Sequence, residues 1–154
     1  MSLQSMTTDS LWLGLAAAAG SCIAVQAATN TALRHHLGDA RYAAFFSICG
    51  TILTASVFML AVRPAAPSMA ALRGTSWWYW MGGPLGALVV LAGAALTPRL
   101  GAAAFISAFV GGQLISSLAL DHFGLMNVPQ QSLSASRLLG AVMVFAGVLL
   151  VRYG

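Results

Sequence analysis

Gln26 and Asn30 stand four residues apart in the segment "VQAATNTAL", inside a run that is otherwise apolar. On a helix that spacing puts both carboxamides on one face, and Cys22 extends the stripe by a further turn. An amide donates and accepts hydrogen bonds without ionising, so the chemistry this pair offers is recognition of a neutral or zwitterionic solute. Burying it in hydrocarbon is costly unless it is hydrogen-bonded, so this face must look at another helix or at a water-filled cavity. Gln113, in the middle of a second apolar run, is a third such amide. Each alone could serve as an interhelical fastener worth about 0.6 kcal/mol. Three at membrane depth in so short a chain favour a polar cavity.

Asp121 and His122, in "DHFG" at the end of the fourth span, could form a protonatable pair, and imidazole titrates nearest physiological pH. They are candidates for proton coupling. The alternative is a helix terminus, with Gly124 as its C′ residue and the ionisable groups reaching the headgroups. The rest of the catalytic inventory is empty: no phosphate-cradling glycine loop, no metal-spaced Cys/His set, and no carboxylates facing each other at membrane depth. No enzyme, no cofactor and no metal is therefore expected.

The elements that must position these amides follow from composition. Of 154 residues, 59% are hydrophobic and 6% charged, against roughly 25% charged in an ordinary soluble domain. A bilayer core needs roughly 20 apolar residues per helix, and five runs qualify: about 11–33, 43–62, 77–96, 100–120 and 137–152. They leave no room for a soluble domain, so the expected organisation is a single transmembrane domain over 1–154. Runs without period-2 alternation exclude a barrel, and the fold class is an all-α integral membrane protein. "WWYW", Trp77 to Trp80, opens the third span as an interfacial anchor, with Trp80 a secondary candidate for a cavity wall. Pro84 is a candidate kink in that span, and Ser134 or Ser136 a candidate N-cap for the fifth. "MSLQSMTTDS" carries no basic residue, which argues against a cleaved signal peptide. Cys22 and Cys49 lie in apolar runs and read as packing residues, while His35, His36 and Asp39 fall in a solvated first loop.

All seven basic residues are arginines, and they lie between or at the ends of the spans as membrane-edge anchors, not as a nucleic-acid patch. With five spans the side holding the N-terminus receives Arg63, Arg73 and Arg137, and the other receives Arg34, Arg41, Arg99 and Arg152. Loop arginine asymmetry sets orientation, so this near balance predicts insertion both ways round. The alternative is that the small excess fixes one orientation, with the C-terminus and first loop inside. Two oppositely inserted copies would form the inverted pair on which many transporters are built. Helix contacts are expected at Gly82, Gly86, Gly111, Gly112, Gly140 and Gly147, since small residues let backbones approach in lipid.

Taken together, the Gly20-to-Leu33 segment with Gln26 and Asn30, then Gly38 and "AAFFSICG", then "GGPLGALVVLAGAALTPRLGAAAFISAFVGGQLISSLALDHFGL", then "SRLLGAVMVFAGVLLV" resemble the five-helix YdcZ family of the drug/metabolite transporter superfamily. The resemblance covers nearly the whole chain. It implies an exporter of the bacterial inner membrane, with five helices equivalent to half of a ten-helix transporter and a need for an oppositely oriented partner. A second copy of the chain can fill that role as an antiparallel homodimer. The four-helix small multidrug-resistance relatives couple protons through a glutamate in the first helix; this chain has no Glu, so that mechanism does not carry over. The expected function is alternating-access transport of a small polar or amphipathic metabolite or drug, with Gln26, Asn30, Gln113 and Trp80 facing the solute. A non-transporting membrane subunit and a lipid-moving protein are the alternatives.

Overall fold

The computed structural model describes the backbone from residue 3 and the side chains from residue 9 through Gly154. Every regular element in that range is helical: α1 (Leu3–Leu37), α2 (Ala40–Val62), a short α3 (Met69–Arg73), a 3-10 turn (Trp77–Met81), α4 (Gly82–Leu100), α5 (Ala102–Phe123), a second 3-10 turn (Leu125–Asn127) and α6 (Ala135–Tyr153). Five stretches are long and apolar enough to cross a membrane: Asp9–Leu37, Ala40–Val62, Trp77–Leu100, Ala102–Phe123 and Ala135–Tyr153. The chain divides into two compact units, Met1–Pro98 and Arg99–Gly154.

In the first unit, α1 runs past the apolar segment to Leu37, so His35 and His36 belong to its last turn and not to a loop. Arg34, in the same turn, is a cation that opposes the partial negative charge of the helix C-terminus. Gly38 takes φ +78 and donates its N–H to the Arg34 carbonyl at 2.8 Å, a left-handed stop that glycine adopts without a Cβ penalty. Asp39 then caps α2, accepting from the Arg41 N–H at 2.7 Å. With two residues between them, α1 and α2 pack as neighbours, and the buried Ala43 and Ala44 are small enough to allow it. Arg63, in the left-handed region at φ 48, stops α2 ahead of "PAAP".

Asp39 also pairs with the Arg41 guanidinium at 2.6 Å, on the exposed edge of the unit. That side-chain hydrogen bond, seconded by the Arg41 backbone N–H, holds the carboxyl at about 2 against its ordinary 3.8. The folded value lies below the unfolded one, so the pair's contribution is complete above the ordinary value and is lost as pH falls toward 2. In Arg41→Ala the Asp39 carboxyl is expected to titrate higher but still below its ordinary value, because the backbone N–H of residue 41 still donates to it, read from the pH dependence of its carboxyl 13C shift. A midpoint that stays near 2 would show that Arg41 is not the cause.

The second unit is an α5–α6 hairpin together with the end of α4. Gly101, at φ +84, lets the chain turn within one residue from α4 into α5, and Arg152 donates to the Leu100 carbonyl at 3.4 Å. Gly124 caps α5 in the left-handed region, and Ser134 caps α6 by accepting from the Arg137 N–H. Between the caps Met126 and Asn127 also take positive φ, at 57 and 62. The loop is clasped from both sides. Arg137 donates to the Asp121 carboxylate at 3.0 Å and to the Gln131 side-chain oxygen at 2.7 Å, while Gln130 donates to the His122 carbonyl at 2.9 Å.

Along the spans most large apolar side chains are exposed, although Phe105 on α5 is buried, and among the described residues no large side chain is fully buried within the chain. Lipid tails are as apolar as a protein core, so such a surface carries no penalty in a bilayer.

Candidate functional site

Asn30 is the most deeply buried polar side chain of α1, at 5% exposure, and Ala27 beside it is equally buried. Gln26 is half-buried one turn earlier on the same face. The carboxamide of Asn30 has no hydrogen-bond partner among the described residues. One turn further on, Arg34 leaves α1 and donates from Nη1 to two successive carbonyls of α4, Ala94 at 3.3 Å and Ala95 at 3.1 Å.

The reason lies in α4 itself. Pro98 sits inside that helix. Proline has no N–H, so the carbonyl four residues earlier, that of Ala94, loses its helical donor. Arg34 supplies the missing hydrogen bond from another helix. Pro84, by contrast, lies in the first turn of α4, where an N–H would have no partner within the helix. The proline in the interior of this span is therefore Pro98, while Pro84 lies in its first turn.

Around this junction α4 buries Gly93, Ala94 and Thr97. Thr97 is 5% exposed and its hydroxyl has no partner. Other hydroxyls on these helices return to the carbonyl four residues back, as Thr29 does to Val25 at 2.8 Å and Thr54 to Gly50 at 2.9 Å. Asn30 and Arg34 share one face of α1, Ala94 and Thr97 share one face of α4, and the Arg34 hydrogen bonds join the two faces. The result is a buried polar patch with a guanidinium, an amide and a hydroxyl, able to hydrogen-bond a solute but lacking any group suited to breaking a covalent bond.

The remaining candidates lie elsewhere. Trp80 belongs to the 3-10 turn ahead of α4 and is 59% exposed. Gln113 is exposed on α5, in the second unit. Asp121 holds Arg137, and His122 accepts the Leu133 N–H at Nδ1, at 3.4 Å, so both residues of the proposed proton-coupling pair act in the α5–α6 clasp. Of the glycines, Gly111 is buried against α6, where a Cβ would lie 3.4 Å from Phe145 Cζ and 3.6 Å from Val148 Cγ2. At Gly82, Gly86, Gly112, Gly140 and Gly147 a Cβ would meet nothing. Cys22 and Cys49 are free and exposed, so neither fills a core position. No group of three or more metal-ligating side chains occurs among the described residues.

Arg34 and Thr97 escaped the sequence reading, which took Arg34 as a membrane-edge charge. The signal that points to them is Pro98 within an apolar helical run, because an interior proline announces a carbonyl in need of a donor.

A family model described as "Putative inner membrane exporter, YdcZ" matches residues 11–150. No curated protein and no solved structure matches the chain.

Proposed function

The chain belongs to this YdcZ family of inner-membrane exporters and is a multi-pass inner-membrane protein, and from that premise we propose that it transports a small polar or amphipathic solute by alternating access as an antiparallel homodimer. The single observation that carries the reading is Asn30, a buried amide without a partner on a membrane helix. Its amide makes no hydrogen bond within the described residues, so its donors and acceptor are available to a solute. Gln26 extends the same face, and in an inverted pair Gln26, Asn30 and Gln113 would each be contributed twice. The nearly balanced arginines and the outward-facing apolar surface support a second copy as the partner. The five helices would then be half of a ten-helix transporter, completed by symmetry.

Asp121 is engaged by Arg137, so coupling to protons would require that clasp to open. Transport without proton coupling is the simpler reading.

Orientation is tested with a single cysteine near the N-terminus, in a background where Cys22 and Cys49 are Ala, labelled from each side of intact membranes. Labelling from both sides is the expected result; labelling from one side alone would exclude the homodimer of opposite copies. For the site, Asn30→Leu and Gln26→Leu are expected to lower flux at least tenfold in reconstituted vesicles while the protein stays folded. Undiminished flux in both would remove the amide face from the pathway.

A further inference from the structure

Arg34 anchors one edge of its guanidinium and leaves the other unused. Nη1 makes both bonds to the α4 carbonyls, and Nε and Nη2 have no partner among the described residues. No carboxylate in its unit forms an ion pair with it, although its field reaches Asp39. The carboxylates there are Asp39, which is held by Arg41 at 2.6 Å, and Asp9, near the opposite end of α1; at 1.5 Å per residue the distance along the helix from Asp9 is roughly 40 Å. A half-buried guanidinium without an ion-pair partner is partly desolvated and is not compensated by a direct contact.

Two further polar groups beside it also lack partners, the Asn30 carboxamide one turn before Arg34 and the Thr97 hydroxyl one turn after Ala94, each on a side chain 5% exposed. Water could satisfy the Asn30 carboxamide and the Thr97 hydroxyl but would leave the Arg34 cation without a counter-charge. The free guanidinium edge presents two parallel N–H donors, the geometry that matches two oxygens on one carbon or phosphorus. We infer that Arg34, Asn30 and Thr97 form an anion-binding site that receives the oxygens of a carboxylate or phosphate group, with Arg34 pre-oriented by its bonds to the Ala94 carbonyl, which Pro98 leaves without a helical donor, and to the neighbouring Ala95 carbonyl.

The anion can reach this site as part of a transported solute or as the headgroup of an anionic lipid. The first case rests on the transport reading and narrows its substrate to solutes with an oxyanion group, zwitterions included.

The test is binding without flux. Thermal unfolding of the purified full-length protein in neutral detergent is followed by tryptophan fluorescence with sodium benzoate, against benzyl alcohol and sodium chloride at matched ionic strength. A parallel series uses phosphatidylcholine nanodiscs with and without phosphatidylglycerol. A ligand that binds only the native state raises its midpoint by mass action. The expected result is a rise of several degrees with benzoate, absent in Arg34→Gln and reduced in Thr97→Val. Thr97→Val should itself raise the ligand-free midpoint, since it removes an unpartnered hydroxyl. A rise with phosphatidylglycerol alone, lost in Arg34→Gln, assigns the same site to a lipid headgroup. Failure of both probes to exceed their controls, or a rise of equal size in the wild type and both variants, overturns the site. If Arg34→Gln does not fold, an undiminished rise in Thr97→Val does so. A negative outcome would leave the exporter reading standing, because flux is not measured.

Discussion

Arg34→Leu is expected to destabilise the first unit by about 1–3 kcal/mol, the cost of leaving a buried carbonyl without a donor. The guanidinium reaches the Ala94 carbonyl at 3.3 Å, and Pro98 cannot supply the helical N–H that this carbonyl would otherwise receive. The double variant is the sharper test. In Pro98→Ala the new N–H at position 98 can close the α4 ladder onto Ala94, so Arg34→Leu should cost little in that background. The two residues should therefore show a coupling energy in the range of 0.5–3 kcal/mol that contacting groups display. Unfolding in mixed dodecyl sulfate and neutral detergent micelles, followed by tryptophan fluorescence, gives all four corners of the cycle. Equal costs of Arg34→Leu in the two backgrounds would show that Arg34 stabilises α4 by some route other than the proline gap.

Gly111→Leu is expected to separate α5 from α6, with a loss of about 1–3 kcal/mol from overpacking. The structure distinguishes sharply between alanine and leucine here. A Cβ at position 111 would sit 3.4 Å and 3.5 Å from the Phe145 ring and 3.6 Å from Val148, which is ordinary van der Waals contact. Gly111→Ala should therefore be tolerated, and replacing a helix-interior glycine can add roughly 0.5–1 kcal/mol. The three further carbons of leucine have nowhere to go while the Phe145 ring is in place. Phe145→Ala should rescue Gly111→Leu in part, and the same micelle denaturation measures it. Gly112→Leu is the internal control, because a Cβ there meets nothing within the chain. If Gly112→Leu were as damaging as Gly111→Leu, steric fit to α6 would not be the cause.

The two predictions concern features of different legibility. Gly111 and Gly112 are adjacent glycines in the same apolar run, and the sequence reading gave them one role. A helix turns about 100° per residue, so only one of them can face α6, and which one depends on where α6 lies. The Asp121–His122 pair shows the same limit. Adjacency in "DHFG" suggested a proton-carrying pair, yet Asp121 meets Arg137, 16 residues away, once α6 folds back. Arg34 meets its carbonyls 60 residues further along the chain.

What the sequence determined by itself is everything a segment settles alone. The five spans follow from local hydropathy, because each run meets the same apolar solvent whatever its neighbours do. The stops and caps at Gly38, Gly124 and Ser134 follow from local φ preference and side-chain hydrogen bonding. The shared face of Gln26 and Asn30 follows from the helical period. Tertiary structure decided which polar groups find partners and which are left without them. Arg34 fills the gap left by Pro98, Arg137 claims Asp121, the Thr97 hydroxyl stays buried and unpartnered, and Asn30, on a residue 5% exposed, makes no side-chain hydrogen bond within the described residues. A hydrogen bond needs its two groups within about 3 Å and aligned, a condition on the arrangement of several helices that no single one of them can encode.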